Sequence, residues 1–98
     1  AKSGLAIAVK YGDKRRQFGP KNGLEVPILN YRSHQRRLIP LLANAYALHF
    51  ALGYLTNRFL HRKEEDMQEI EALAAGLKAY STWNTTATLQ TWREACGG

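Results

Sequence analysis

From Tyr31 to about His61 the apolar residues recur at helical spacing over a length few small chains sustain, and this run limits the fold more than any other feature. Its main stripe is Leu38, Leu41, Ala45, Leu48, Leu52, Leu55 and Phe59, each three or four residues after the last. Leu42, Tyr46, Phe50 and Tyr54 form a second line beside it, so the apolar sector is wider than a surface helix needs. A helix of that kind is contacted on two sides. Asn30 is placed to cap it. Pro40 removes one backbone hydrogen bond and predicts a kink.

Two further helices are predicted around it. One covers about Leu5 to Arg16, with Leu5, Ala8, Val9 and Gly12 on one face, and it begins abruptly, as a longer helix would if cut. The other covers about Asp66 to Cys96. Glu64, Glu65 and Asp66 stand at its start with the sign the helix dipole favours, and Asp66 with Glu69 has capping-box spacing. Its apolar line is read as Met67, Ile70, Leu73, Ala74, Leu77, Tyr80, Trp83 and Ala87, and Gly97-Gly98 closes it. The connector from Gln17 to Asn30 gathers Gly19-Pro20, Asn22-Gly23 and Pro27, with an extended stretch before the proline. The expected fold is therefore all-α. It is a long-helix bundle of three visible helices forming one domain, with the wide second helix suiting a four-helix bundle whose remaining helix lies elsewhere.

The stretch from Leu38 to Leu55 falls short of a membrane span and holds Pro40, Asn44 and His49, so no span is expected. Asn84-Thr85-Thr86 fits a glycosylation sequon inside a helical pattern and is discounted. The chain carries no recognisable targeting signal.

Charge is divided unevenly. Of 14 Lys and Arg and eight Asp and Glu, nine cations and two acids lie up to Ile39, and five cations and six acids beyond it. Lys14-Arg15-Arg16 and Arg32, Arg36 and Arg37 make the basic part, able to serve nucleic acid, anionic lipid or a phosphate-bearing small molecule. In Lys14-Arg15-Arg16-Gln17-Phe18-Gly19-Pro20, an arginine fork suits a pyrophosphate and the neighbouring ring suits an aromatic base. The same residues equally suit a solvated helix C-terminus. Aromatic residues fall mainly on apolar faces, away from the basic ones, which argues against nucleic acid. Cys96 has no activating histidine near it in sequence, and His34, His49 and His61 have no metal-ligand spacing, so neither a catalytic residue nor a metal site is expected. The acids at the start of the third helix are not paired in an apolar setting, as acid–base chemistry would need.

Several segments, in order, resemble the acyl-CoA oxidases: Tyr11-Gly12-Asp13-Lys14-Arg15-Arg16-Gln17-Phe18-Gly19, Glu25-Val26-Pro27-Ile28-Leu29-Asn30-Tyr31, Leu41-Leu42-Ala43-Asn44-Ala45-Tyr46-Ala47, Ala74-Ala75-Gly76-Leu77-Lys78-Ala79-Tyr80 and Arg93-Glu94-Ala95-Cys96-Gly97-Gly98. The Arg-Gln-Phe-Gly element is shared with acyl-CoA dehydrogenases. The resemblance implies the first carboxy-terminal helical domain of a longer FAD-dependent enzyme of fatty acid β-oxidation, which turns acyl-CoA into trans-2-enoyl-CoA and oxygen into hydrogen peroxide. It places Arg15 at the FAD pyrophosphate, Gln17 and Phe18 beside the adenosine part, and the Gly97 and Gly98 backbone near the cofactor. Arg32 stands where dehydrogenases often have an FAD-contacting glutamine, and Glu94 where they have glutamine. The family's catalytic glutamate lies beyond Gly98, so this chain alone is expected to be inactive. A homodimer with FAD shared across the interface is implied, in the peroxisome of a eukaryote or the cytoplasm of a bacterium. The alternative is a free-standing basic helical module that binds or self-assembles without catalysis. Leu42, Tyr46, Phe50 and Tyr54 are expected to form an exposed patch driving self-association.

Overall fold

Leu38 and Ile70 are almost wholly buried, at opposite ends of a long antiparallel seam. A computed structural model describes residues 1–97 and contains α1 (Lys2–Lys14), α2 (Arg32–Leu60) and α3 (Met67–Ala95), with short 3-10 turns at Ile28–Asn30 and Glu64–Asp66. The 29-residue helices α2 and α3 would each run about 44 Å at 1.5 Å per residue. They form a hairpin with α1 laid along one half of it, giving a rod of 69 × 21 × 18 Å.

The seam of α2 follows its expected stripe. Leu38 is buried, Leu41, Ala45, Leu48 and Leu55 are half-buried, and Leu52 and Phe59 lie at its margin. Steps alternating three and four keep such a stripe facing a partner helix. The helix is unbroken through Pro40, whose ring is exposed. Leu42, Tyr46, Phe50 and Tyr54 are all exposed, as the sequence pattern indicated.

In α3 the expected line holds only as far as Leu77. Beyond it the packing face passes through Ser81, Asn84, Thr88 and Ala95, while Trp83 and Ala87 face outward, Trp83 at 82% exposure, and Tyr80 lies at the margin with its hydroxyl turned to α2. The reason is steric. Along this half three helices meet, and the small side chains of Ser81, Asn84 and Thr88 allow close approach, while the Trp92 ring fits only over a glycine of α1. Ala8, Leu38 and Ala95 form the core there, with Leu29, Trp92 and Cys96 against it. Gly4 lies directly under the Trp92 indole, where an added Cβ would stand 2.6 Å from Cε2.

Polar pairs fix the hairpin's register. Asn44 Nδ2 donates to Asn84 Oδ1, and the Tyr80 hydroxyl donates to Asn44 Oδ1 at 3.0 Å. Asn84 is thus turned into the helix pair. At the hairpin tip Arg58 Nη2 meets Asp66 at 3.3 Å and Glu69 at 2.7 Å, and these acids hold the guanidinium's pKa above its ordinary value.

Helix ends differ from expectation in three places. Arg15 is extended rather than helical, because the chain there begins to pair with residues after Val26. Asn30 does not cap α2: it is the last residue of the 3-10 turn that follows Pro27, so the extended cap position falls one residue later, on Tyr31, which makes no side-chain bond. Glu69 is held by Arg58, so the reach-back bond is made by Asp66, whose Oδ2 accepts from the Lys63 N–H at 3.0 Å.

Helix α2 is in fact long and apolar enough to cross a membrane by length and composition, with mean hydropathy 1.4 in its most apolar window, contrary to the expectation that it falls short. A bundle helix contacted on two sides passes the same measure, and Asn44 within it is paired to α3.

Candidate functional site

The connector is built as a short two-stranded loop. Gln17 N–H donates to Val26 O at 3.0 Å, Val26 N–H to Phe18 O at 2.8 Å, and Ile28 N–H to Arg15 O at 2.8 Å. Arg16 is bridged antiparallel to Pro27, and its guanidinium donates to Glu25 O at 3.1 Å. Tyr31 ties this loop to the start of α2, its hydroxyl donating to Gln17 O at 2.8 Å. Sequence reasoning did not single out Tyr31 for this, since nothing local marks a partner so far along the chain.

The consequence is a fixed main chain with outward side chains. Arg15, Gln17 and Phe18 are exposed while their backbone groups are engaged. Phe18 sits at φ 58°, the left-handed region that a bulky residue seldom occupies, and the residue is 72% exposed. Such a conformation costs of order 1–2 kcal/mol and holds the ring away from the protein. The Gly19 that follows has the Leu24 carbonyl 2.8 Å from any added Cβ, so the turn requires glycine there.

Arg32 opens α2, followed by Arg36 and Arg37, all exposed. The first turn of α2 contains no acid and its cap makes no side-chain bond. Arginines are therefore set against the positive end of a helix dipole, an arrangement that an anion would relieve. Lys14, Arg15 and Arg16 arrive at the same end of the rod from α1, and among the described residues none of these six cations makes an ion pair. His34, between them, has Nε2 buried against Gly12 and a pKa lowered by burial first and by Arg37 second.

Gly97 follows the end of α3 at φ 92°, with open space around it, and its N–H donates to Glu94 O at 3.2 Å. Ala95 and Cys96 pack with Leu38 and Leu29, which brings this glycine to the same basic end. Gly98 lies outside the described residues. The structure thus gathers Arg15, Gln17, Phe18, Arg32 and Gly97 at one end of the bundle, although they come from three parts of the chain. The acids Glu64 and Glu65 lie at the other end, exposed beside the Arg58 cluster.

The arrangement offers a phosphate-bearing molecule exposed cations, a helix N-terminus and an exposed ring. It offers no nucleophile with a base, and among the described residues no group of three His, Cys, Asp or Glu is set to hold a metal.

Known proteins share the whole of this framework. The family profile described as "Acyl-CoA oxidase, C-alpha1 domain" matches residues 1–98. The chain is 48% identical over 99 residues to a putative peroxisomal acyl-coenzyme A oxidase 3.2 of Arabidopsis thaliana, covering all of this chain and 15% of that protein. It is 40% identical over 100 residues to peroxisomal acyl-coenzyme A oxidase 1 of Rattus norvegicus, covering 94% of this chain and 15% of that protein. The crystal structure of acyl-CoA oxidase 3 from Yarrowia lipolytica superposes with a TM-score of 0.69 at 33% identity, over 97% of this chain and 16% of that one. The chain accordingly spans under a fifth of the length of these relatives. With agreement of sequence along the full length and of fold at the same positions, the chain belongs to the acyl-CoA oxidase family, where it corresponds to the C-alpha1 domain.

Proposed function

We propose that the chain works as the cofactor-facing helical part of an FAD-dependent acyl-CoA oxidase, in a protein that acts on acyl-CoA thioesters in peroxisomal fatty acid β-oxidation. The observation that carries this is the unpaired positive charge at the N-terminal end of α2, faced by Arg15 from the connector. The residues present fit a flavin dinucleotide: its pyrophosphate supplies the anion that this end lacks, and Phe18 supplies a flat apolar face for its adenine. When bound, FAD supplies the two-electron acceptor for acyl-CoA oxidation.

In this reading Arg15 binds the pyrophosphate through paired charge-assisted hydrogen bonds. Arg32 adds charge beside it, acting with the helix dipole where a glutamine would act by hydrogen bonding alone. Gln17 and Phe18 position the adenosine part, their backbone held by Val26 and Tyr31. Gly97 contributes its small profile, since its N–H is already taken by Glu94. No residue here abstracts the substrate proton, so catalysis needs a glutamate from elsewhere in the protein. The active form is a homodimer, with the outer face of α3 as its contact.

The test is the flavin content of the full-length enzyme. Arg15→Gln should lower FAD retained after gel filtration by at least tenfold, with the helical circular dichroism unchanged. Full flavin occupancy in that variant would refute the assignment. The 98-residue chain alone should release no peroxide from any acyl-CoA.

A further inference from the structure

We infer that the trough between α1 and α2 is the seat of an amphipathic helix whose apolar stripe is bordered by Asp or Glu. The trough encloses about 590 Å³. Leu5, Ala6 and Val9 of α1 make one wall and Leu42, Ala45 and Tyr46 of α2 make the other. On both helices the lining residues recur at steps of three and four. Two such rows side by side present the holes into which the knobs of a third helix fit. Val9, Leu42 and Tyr46 are exposed there, so the apolar walls have no cover within the described residues.

The rim decides what kind of helix fits. Lys2 and Lys10 stand along α1, and Lys2 Nζ donates across the trough to His49 Nδ1 at 3.1 Å. No carboxylate lines the trough, and none lines the depression that continues it along α2 past Phe50 and Tyr54 to Arg58. An occupant with acids beside its apolar stripe meets complementary charge from Lys2 and Lys10 along the α1 edge. A second copy docked by two-fold symmetry would instead set this cationic rim against itself. A polyanion such as nucleic acid would leave the apolar floor uncovered. The inference stands on the α1–α2 surface alone and does not depend on where the flavin binds.

The experiment uses the 98-residue chain and two synthetic helical peptides of about 18 residues, long enough to run the trough. Both peptides carry one Leu/Ala stripe, bordered by Glu in one and by Lys in the other, and binding is read by fluorescence anisotropy at about 0.1 M salt. The Glu-bordered peptide should bind about tenfold more tightly, since Lys2 and Lys10 attract its acids and repel the lysines of the other peptide, each by a modest amount. The double variant Lys2→Glu/Lys10→Glu should reverse that preference. Both side chains are exposed, so its circular dichroism should match that of the parent chain. Tyr46→Asp should weaken either peptide. Equal affinity for the two peptides, binding of neither, or an unchanged preference in the double variant would overturn the inference. So would a chain that fills the trough with its own copy, seen as a dimer in sedimentation that Tyr46→Asp dissolves.

Discussion

Replacing Asn44 by leucine separates a register pin from a simple stabilising contact. In the native pair Asn44 Nδ2 donates to Asn84 Oδ1, and Tyr80 donates to the Asn44 carbonyl at 3.0 Å. With Asn44 gone, the Asn84 amide stays half-buried without its partner and the Tyr80 hydroxyl turns to solvent. An orphaned buried polar group costs about 1–3 kcal/mol. Partial exposure puts this site near the middle, so Asn44→Leu should cost about 1.5 kcal/mol. Replacing both asparagines by leucine removes both polar groups together and should be close to neutral. Asn84→Leu leaves the Asn44 amide N–H without its acceptor and should cost about 1 kcal/mol, so the coupling energy is about 2–3 kcal/mol. Urea unfolding followed at 222 nm reads it: with a slope near 1 kcal/mol/M for so small a chain, the single variant's midpoint falls by roughly 1.5 M and the double variant's recovers most of that. Additive losses in the double variant would refute the reasoning, because each asparagine would then act independently of the other. The near-neutral double variant should also show a less uniform near-ultraviolet signal, since leucines pack in more than one register where an asparagine pair permits one.

Gly4→Val should push the Trp92 indole off α1, costing about 1–3 kcal/mol and shifting tryptophan emission to the red in a Trp83→Phe background. Phe18→Gly removes a left-handed backbone penalty and should stabilise the chain by about 1 kcal/mol in urea, while weakening flavin retention in the full-length enzyme. His34 has a lowered pKa in the folded chain, so the unfolded chain takes up the proton first, at its ordinary value near 6.5. Stability should therefore be complete above that value, fall as pH drops below it, and level off under the folded pKa. The urea midpoint at pH 7.5 and at pH 5 measures this, and His34→Gln should flatten the difference.

The legible parts of this fold are those where packing and apolarity coincide. The α2 stripe could be read because leucines both fill the seam and mark it. In the second half of α3 the small, threonine-rich composition from Thr82 onwards points to close helix approach. The packing line itself is not legible there, because Ser81, Asn84 and Thr88 do the packing while Trp83 points outward. Apolar periodicity reports where large side chains recur, and here the geometry selects small ones. The cap at Asn30 failed because its residue type suits a cap but its backbone belongs to the 3-10 turn after Pro27, which moves the start of α2 one residue on. The basic end was visible as clustered charge, which left phosphate, lipid and solvent all open. Only the folded chain shows Arg15 and Arg32 sharing one end, with the cap of α2 making no side-chain bond. The Lys2–His49 contact, spanning 47 positions, has no local signal at all.

The outward residues of α3 bear on where a second copy docks. Ala72, Gly76, Ala79, Trp83, Thr86 and Gln90 are all exposed and step by four and three along the helix. Lys78 and Arg93 bound a stretch of α3 without a charged residue. Depletion of charge around one large aromatic side chain is the composition of an interface centre. Gly76 has open space beyond its Cα, so two such faces can approach closely. The α2 face lacks this advantage. Leu42 and Tyr46 lie in a trough edged by Lys2, Lys10 and His49, and two-fold pairing there repeats like charges at close range. A homodimer should therefore use α3. At roughly 2 kcal/mol for each Trp83 buried, and two per dimer, Trp83→Glu should raise the dissociation constant by about a thousandfold. Phe50→Glu and Tyr54→Glu should leave it within about threefold, since neither lies on that face. Sedimentation equilibrium at micromolar concentration distinguishes the two surfaces. A dimer that survives Trp83→Glu and dissociates on Phe50→Glu would move the contact to α2 and refute the charge argument that excludes it.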